Sequence, residues 1–178
     1  MKARFQSLLY TALVVTTGFL SSTLTSCEPE KCKTIVCAHG GTCDDGNCVC
    51  PTGYEGPQCE TVNRNRFMGI WIVTENGTIS NAAQYAVSVE EGNNVDQVRI
   101  KTFYNTLTTA VDAYVKGDTI RIPQQEINSY KLEGIGTIAD DKYYGDHGKI
   151  ILNYSITDGN GNKDNFGLGE GESSIWVH

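Results

Sequence analysis

The chain has 178 residues, and its 14 Lys and Arg against 21 Asp and Glu give a formal net charge of −7. With no basic cluster anywhere, that balance excludes a nucleic-acid surface, and no nucleic-acid partner is expected. All seven cysteines fall between residues 27 and 59, so cysteine usage alone marks a boundary between two regions.

The first element is MKARFQSLLYTALVVTTGFLSSTLTSC. Lys2 and Arg4 form a basic start, and Leu8 to Leu20 form an apolar stretch interrupted only by small or hydroxyl residues. This is the layout of an export signal, too short and threonine-rich for a membrane-spanning helix. A buried N-terminal helix is the alternative, but no later segment offers it an amphipathic partner. The end of the segment, Leu24-Thr25-Ser26-Cys27, resembles the bacterial lipobox. That resemblance implies a signal peptide over residues 1–26 and acyl chains on Cys27, with 27–31 as a lipidated tether. Acyl chains hold a protein on a bilayer because each buried methylene contributes about 0.8 kcal/mol. An exported chain with an odd number of cysteines leaves one without an intramolecular partner, and the resemblance makes Cys27 that one. Glu28 and Glu30 are similar to the acidic export tags of lipoproteins displayed on the outer face of some Gram-negative bacteria. The expected location is therefore the outer membrane, lipid-anchored and surface-exposed.

The remaining cysteines run C-x4-C-x5-C-x4-C-x-C-x8-C from Cys32 to Cys59. So short a segment cannot build a sufficient apolar core, and crosslinks must stabilise it. Spacing alone leaves about 15 pairings open. Zinc held by Cys48, Cys50 and His39 is the competing reading, but zinc sites favour two-residue gaps and export favours oxidation. Cys37-Ala38-His39-Gly40-Gly41-Thr42-Cys43, followed by Cys48-Val49-Cys50-Pro51-Thr52-Gly53-Tyr54-Glu55-Gly56-Pro57-Gln58-Cys59, resembles an EGF-like domain over residues 32–60. The resemblance implies the pairs Cys32–Cys43, Cys37–Cys48 and Cys50–Cys59. It places Gly53 and Gly56 in left-handed turns and Tyr54 over the last disulfide. The short Asp44-Asp45-Gly46-Asn47 loop is similar to compact tenascin-type repeats. Calcium-binding members carry an acidic cluster before the first cysteine, where this chain has Glu28-Pro29-Glu30-Lys31, so no metal is expected.

From residue 61 onward, short alternating runs predict strands at 71–74, 84–90, 98–103, 110–115, 119–122, 130–136, 149–157 and 174–178. Glu91-Gly92-Asn93-Asn94, Lys116-Gly117-Asp118 and Asp158-Gly159-Asn160-Gly161-Asn162 supply turns at hairpin spacing. Eight strands with short turns and no long helix predict a mainly β chain whose residues 61–178 close into an antiparallel barrel. An immunoglobulin-like sandwich is the alternative. Phe67-Met68-Gly69-Ile70-Trp71 resembles the G-x-W of the lipocalin-like (calycin) first strand, which implies that Gly69 and Trp71 plug one barrel end. Lipocalins bring a late arginine across that tryptophan, and this chain has no arginine after Arg121. The order of lipobox, EGF-like module and barrel is similar to that of surface lipoproteins of Gram-negative bacteria.

Chemistry is sparse. His39, His147 and His178 are the only histidines, which gives nucleophile–base pairs little to draw on. Asp140, Asp141 and Asp146 in ADDKYYGDHGK are candidate acid–base or metal-ligating carboxylates, against the simpler reading of a solvated hairpin. Tyr143 and Tyr144 there could stack on a sugar. Asp158, Asn160, Asn162 and Asp164 alternate like calcium ligands, but Lys163 stands where an EF-hand needs glycine and Gly169 where it needs glutamate, so a hairpin loop is preferred. Asn76-Gly77-Thr78 and Asn153-Tyr154-Ser155 match the N-glycosylation pattern, and Asp118-Thr119-Ile120 resembles a bacterial O-glycosylation site. The expectation is a non-catalytic binding or adhesion module without cofactor, meeting a protein or glycan. A carrier of a small apolar ligand in the barrel, or a glycan-processing enzyme using the loop carboxylates, are the alternatives.

Overall fold

The computed structural model describes residues 31–178. The expected export signal, Cys27 and the residues 28–30 lie outside the described residues. Two short hairpins open the fold: β1 (Thr42–Asp44) with β2 (Asn47–Val49), and β3 (Tyr54–Glu55) with β4 (Thr61–Val62). The β3–β4 pair carries the disulfide module two residues past Glu60, so Thr61 and Val62 belong with it rather than with the barrel. A 3₁₀ turn, Asn63–Phe67, then leads into the second unit.

That unit contains β5 (Gly69–Glu75), β6 (Ala83–Glu91), β7 (Gln97–Lys101), β8 (Val111–Lys116) and β9 (Thr119–Ile127). It continues with β10 (Tyr130–Asp141), β11 (Gly145–Thr157), β12 (Lys163–Phe166) and β13 (Ser174–Val177). Successive strands from β5 to β11 pair antiparallel, and β13 closes the ring by pairing with β11 on one side and β5 on the other. The result is an eight-stranded barrel, not a two-sheet sandwich. A single closed sheet leaves no free edge within the ring. β12, which the sequence pattern does not reveal, shares one edge of β11 with β13: it meets Ser155 to Thr157, while β13 meets Lys149 to Leu152.

Two departures from the predicted strands have local causes. β9 runs five residues past Ile122, because Pro123 sits where the β9–β10 register shifts and no ladder donor is required. Beyond the last β8–β9 backbone pair, the Gln125 amide replaces the ladder, accepting from Asp112 N–H at 3.1 Å and donating to Asp112 C=O at 2.8 Å. β7 stops at Lys101, because Thr102 turns left-handed (φ 61°) and swings Phe103 inward, with Tyr104 and Asn105 also left-handed. Thr102 and Tyr104 each oppose this by about 1–2 kcal/mol. Phe103 is fully buried, and that burial supplies the compensation.

The interior is filled by the chain itself. Trp71, Val73, Val87, Val89, Ile100, Phe103, Ile120, Ile122, Leu132, Ile150, Leu152, Tyr154 and Trp176 are all essentially inaccessible to water. Gly134 and Gly136 face inward on β10 opposite Tyr154 and Leu152. A Cβ on either would lie within 3.0 Å of those neighbours, so two small residues admit two large ones.

Candidate functional site at the module junction

The disulfide module is held by Cys32–Cys43, Cys37–Cys48 and Cys50–Cys59, the pairing that the EGF-like resemblance implies. Closing loops of 9–11 residues stabilises each by about 2–3 kcal/mol. Cys48 and Cys50, which the zinc reading joins to His39, are both in disulfides, and His39 has other partners. Its ring stacks on Tyr54 at 4.1 Å, and its Nδ1 lies 2.8 Å from the Cys59 carbonyl oxygen, so Tyr54 reaches the last bridge through His39. Gly53 is left-handed (φ 89°), and a Cβ there would fall 2.4 Å from Val95, so the glycine also lets the module touch the β6–β7 turn of the barrel. Gly56 lies against the Glu60 carboxylate.

The junction is polar and specific. Arg66, on the 3₁₀ turn, pairs with Glu55 of the module and with Asp118 of the β8–β9 turn. Arg64 donates to the carbonyls of Gly92 (3.3 Å) and Asn94 (2.7 Å) and pairs with Glu91 at 3.1 Å. The buried Asn63 amide, oriented to satisfy both its groups, donates to Glu55 Oε2 and accepts from Gly117 N–H, each at 3.0 Å. One five-residue turn thus clamps a disulfide module to two barrel hairpins. NRNRF matches none of the strand or turn patterns in the sequence; two arginines beside small amides in an acidic chain are the available signal. Arg66→Ala is expected to weaken docking by about 2 kcal/mol and to speed limited proteolysis within residues 61–67. An unchanged cleavage rate counts against the clamp.

Beside the clamp, the module and the barrel enclose an open cleft of about 640 Å³ lined by Thr52, Tyr54, Glu55, Asn63, Lys116 and Thr119. It runs into a depression of about 360 Å³ on the outer face of β8–β10, where Thr52, Lys116 and Thr119 recur beside Tyr114, Arg121 and Ile135.

At the barrel end where β5 finishes, a second polar group sits inside the wall. Glu75 is 6% exposed and accepts hydrogen bonds from Ser174 Oγ (2.7 Å), Tyr85 OH (2.7 Å) and Tyr154 OH (3.0 Å). Trp176 Nε1 in turn donates to Ser174 Oγ at 2.9 Å. Burial pushes the Glu75 carboxyl above its ordinary range; the three hydroxyls pull it back, and the Asp164 charge adds to the rise. Burial and the Glu75 charge likewise push Tyr85 and Tyr154 up. Asp164 is as buried as Glu75 but exchanges different bonds, accepting from Ile79 N–H (3.0 Å) and Tyr104 OH (3.1 Å). Burial would raise the Asp164 carboxyl, but hydrogen bonds from Ser80, Ile79 and Tyr104 outweigh it and hold it below the ordinary range. Burial and the Asp164 charge push Tyr104 up to about 12. These groups are shielded and satisfied, so they hold the barrel end together rather than face a substrate. Glu75 continues the inward alternation of Trp71 and Val73, a signal the sequence contains one residue past the predicted strand.

The loop carboxylates do not converge. Asp141 Oδ1 accepts from the N–H groups of Tyr143 and Tyr144, and Asp140 Oδ1 from that of His147. They cap the turn between β10 and β11. Asp158 accepts from Asn160 and Asn162, which holds it below the ordinary range, and lies apart from the buried Asp164. The sequence-level calcium quartet is therefore divided between a turn and a strand. Trp71 is fully buried and donates to the Phe67 carbonyl at 2.8 Å. His178 lies 3.8 Å from its indole, in the place the lipocalin resemblance assigns to an arginine. Gly69, beside them, would bring a Cβ within 3.4 Å of His178.

These features define an EGF-like module joined to a closed, eight-stranded antiparallel barrel. No family model matches the chain. Over 42 residues, 21% of this chain, it is 43% identical to Neural-cadherin of Drosophila melanogaster. Over 40 residues it is 52% identical to the Hedgehog-interacting protein of Mus musculus, and over 37 residues 49% identical to a neurogenic locus notch homolog protein of Giardia intestinalis. The match spans 1% of the first relative and 6% of the other two, so the likeness concerns about a fifth of this chain.

Proposed function

We propose that the chain is an exported lipoprotein, anchored through Cys27, whose EGF-like module and barrel together act as a non-catalytic binding or adhesion unit at the outer-membrane surface. The observation that carries this reading is the filled barrel: Trp71, Phe103 and Trp176 occupy the interior where a carrier would hold its ligand, which leaves the outer face for contacts. The clamp at Arg66 supports it further, because it presents module and barrel as one continuous surface. Matches to EGF-like segments of extracellular-type proteins, one named for interaction with another protein, agree with the binding class. The lipobox resemblance supports the anchor.

Cys27→Ser in the full chain is expected to move the protein from the membrane fraction to the soluble fraction and to abolish labelling by radioactive palmitate. Protease treatment of intact cells should remove the wild-type barrel. Retention of Cys27→Ser in the membrane fraction overturns the anchor. A stoichiometric apolar ligand in native mass spectra replaces the surface reading with the carrier.

A further inference from the structure

We infer that the depression beside Tyr114 binds a carboxylated oligosaccharide. This rests on the binding-unit reading above and gives that unit its ligand class. Tyr114, Arg121 and Ile135 are register partners on β8, β9 and β10, so their side chains rise next to one another on the barrel's outer face. Tyr114 and Ile135 are 39% and 46% exposed and give the depression an apolar platform as its floor. Its volume of about 360 Å³ lies within the range of about 300–1,000 Å³ found for small-molecule sites.

One charge at the platform stands apart from its kind. Among the described residues, Arg64, Arg66 and Arg99 each pair with a carboxylate, and Arg121 alone of the arginines does not. Lys116, two positions along β8 from Tyr114 on the same face, also carries no ion pair among the described residues. The depression therefore offers the Arg121 guanidinium and the Lys116 ammonium against the one carboxylate of Asp96 in its lining, a local positive balance in a chain of net charge −7. A guanidinium matches a carboxylate through two parallel hydrogen bonds. The strands under the platform already pair their backbones with each other inside a closed barrel, so a peptide could not add as a further strand. A pyranose needs no such edge. Its C–H face lies on an aromatic ring, and its hydroxyls find Thr52, Thr119 and Asp96 on the rim.

The test uses the full chain in detergent, titrated with trigalacturonic acid, its methyl ester, sialyllactose and hexaglutamate. Saturable binding of at least one of the two acidic sugars is expected. Removing the carboxylate charge by esterification, or the guanidinium by Arg121→Gln, should weaken binding about tenfold or more. Tyr114→Ala should weaken the neutral ester and the acid alike, whereas Arg99→Gln should change nothing. The thermal midpoints of all variants should stay within about 2 °C of wild type, since these are surface changes. Failure of both acidic sugars, equal affinity for acid and ester, full affinity in Arg121→Gln, or equally tight hexaglutamate overturns the proposal. None of these outcomes alters the fractionation of Cys27→Ser, so the anchor reading stands or falls separately.

Discussion

Replacing Glu75 by alanine should destabilise the barrel by about 3 kcal/mol, because it leaves the buried hydroxyls of Ser174, Tyr85 and Tyr154 without their common acceptor. Glu75→Gln keeps the shape and an acceptor oxygen, and should cost about 1 kcal/mol or less at neutral pH. The two variants also separate charge from packing. In the wild type the folded carboxyl holds its proton at a higher pH than the unfolded one does. Through that interval the native state binds more protons, so stability falls as pH rises and levels off once the folded carboxyl has ionised. Conversely, acidification toward the ordinary carboxylate range should strengthen the Glu75 contribution until the unfolded carboxyl also protonates. Urea unfolding between about pH 4.5 and pH 8 measures this as wild type minus Glu75→Gln. A difference that is flat across this range, or that rises with pH, would show that Glu75 is not held in a desolvated environment.

Trp71→Ala should destabilise the fold by about 3–5 kcal/mol, the range for removing a buried aromatic. The cost has separable parts. The indole fills part of the core beside the start of β5, its N–H satisfies the Phe67 carbonyl, and its face receives His178. Trp71→Phe keeps much of the filling but orphans that carbonyl, and should cost about 1–2 kcal/mol. His178→Ala removes only the stacked partner, and should cost about 1 kcal/mol. Denaturant titration of the three variants orders them; a His178→Ala loss as large as that of Trp71→Ala would show that the imidazole, not the indole, dominates this packing.

Reading by residue pattern succeeded where a local rule had a single solution. Alternation located all eight strands of the ring and several of the turns between them, since a strand with one wet face must repeat every second residue. It missed β12, whose Asp164 and Asn165 are buried polar residues that look like loop until Thr78 and Ile79 arrive from across the chain to bond them. It also ended β9 at Pro123, because the bulge that accommodates a proline depends on the neighbouring strand. The candidate surface was less legible still. Tyr114, Arg121 and Ile135 are far apart in sequence, and only their register makes them one site. Lys116 and Thr52 come from different modules and meet only because the NRNRF turn docks one on the other.

The sequence by itself determined the break in cysteine usage, the six-cysteine framework and the mainly β character with its hairpins. Each follows from short-range constraints: too small a core without crosslinks, a period of two, and turns that permit only hairpins. Tertiary structure alone decided what fills the barrel and what stands outside it. The left-handed turn at Thr102 sends Phe103 into the interior, Gly134 and Gly136 make room for Tyr154 and Leu152, and His178 takes the place over Trp71. Those outcomes depend on volumes and partners that no single segment contains, because packing is a property of surfaces brought together by the fold.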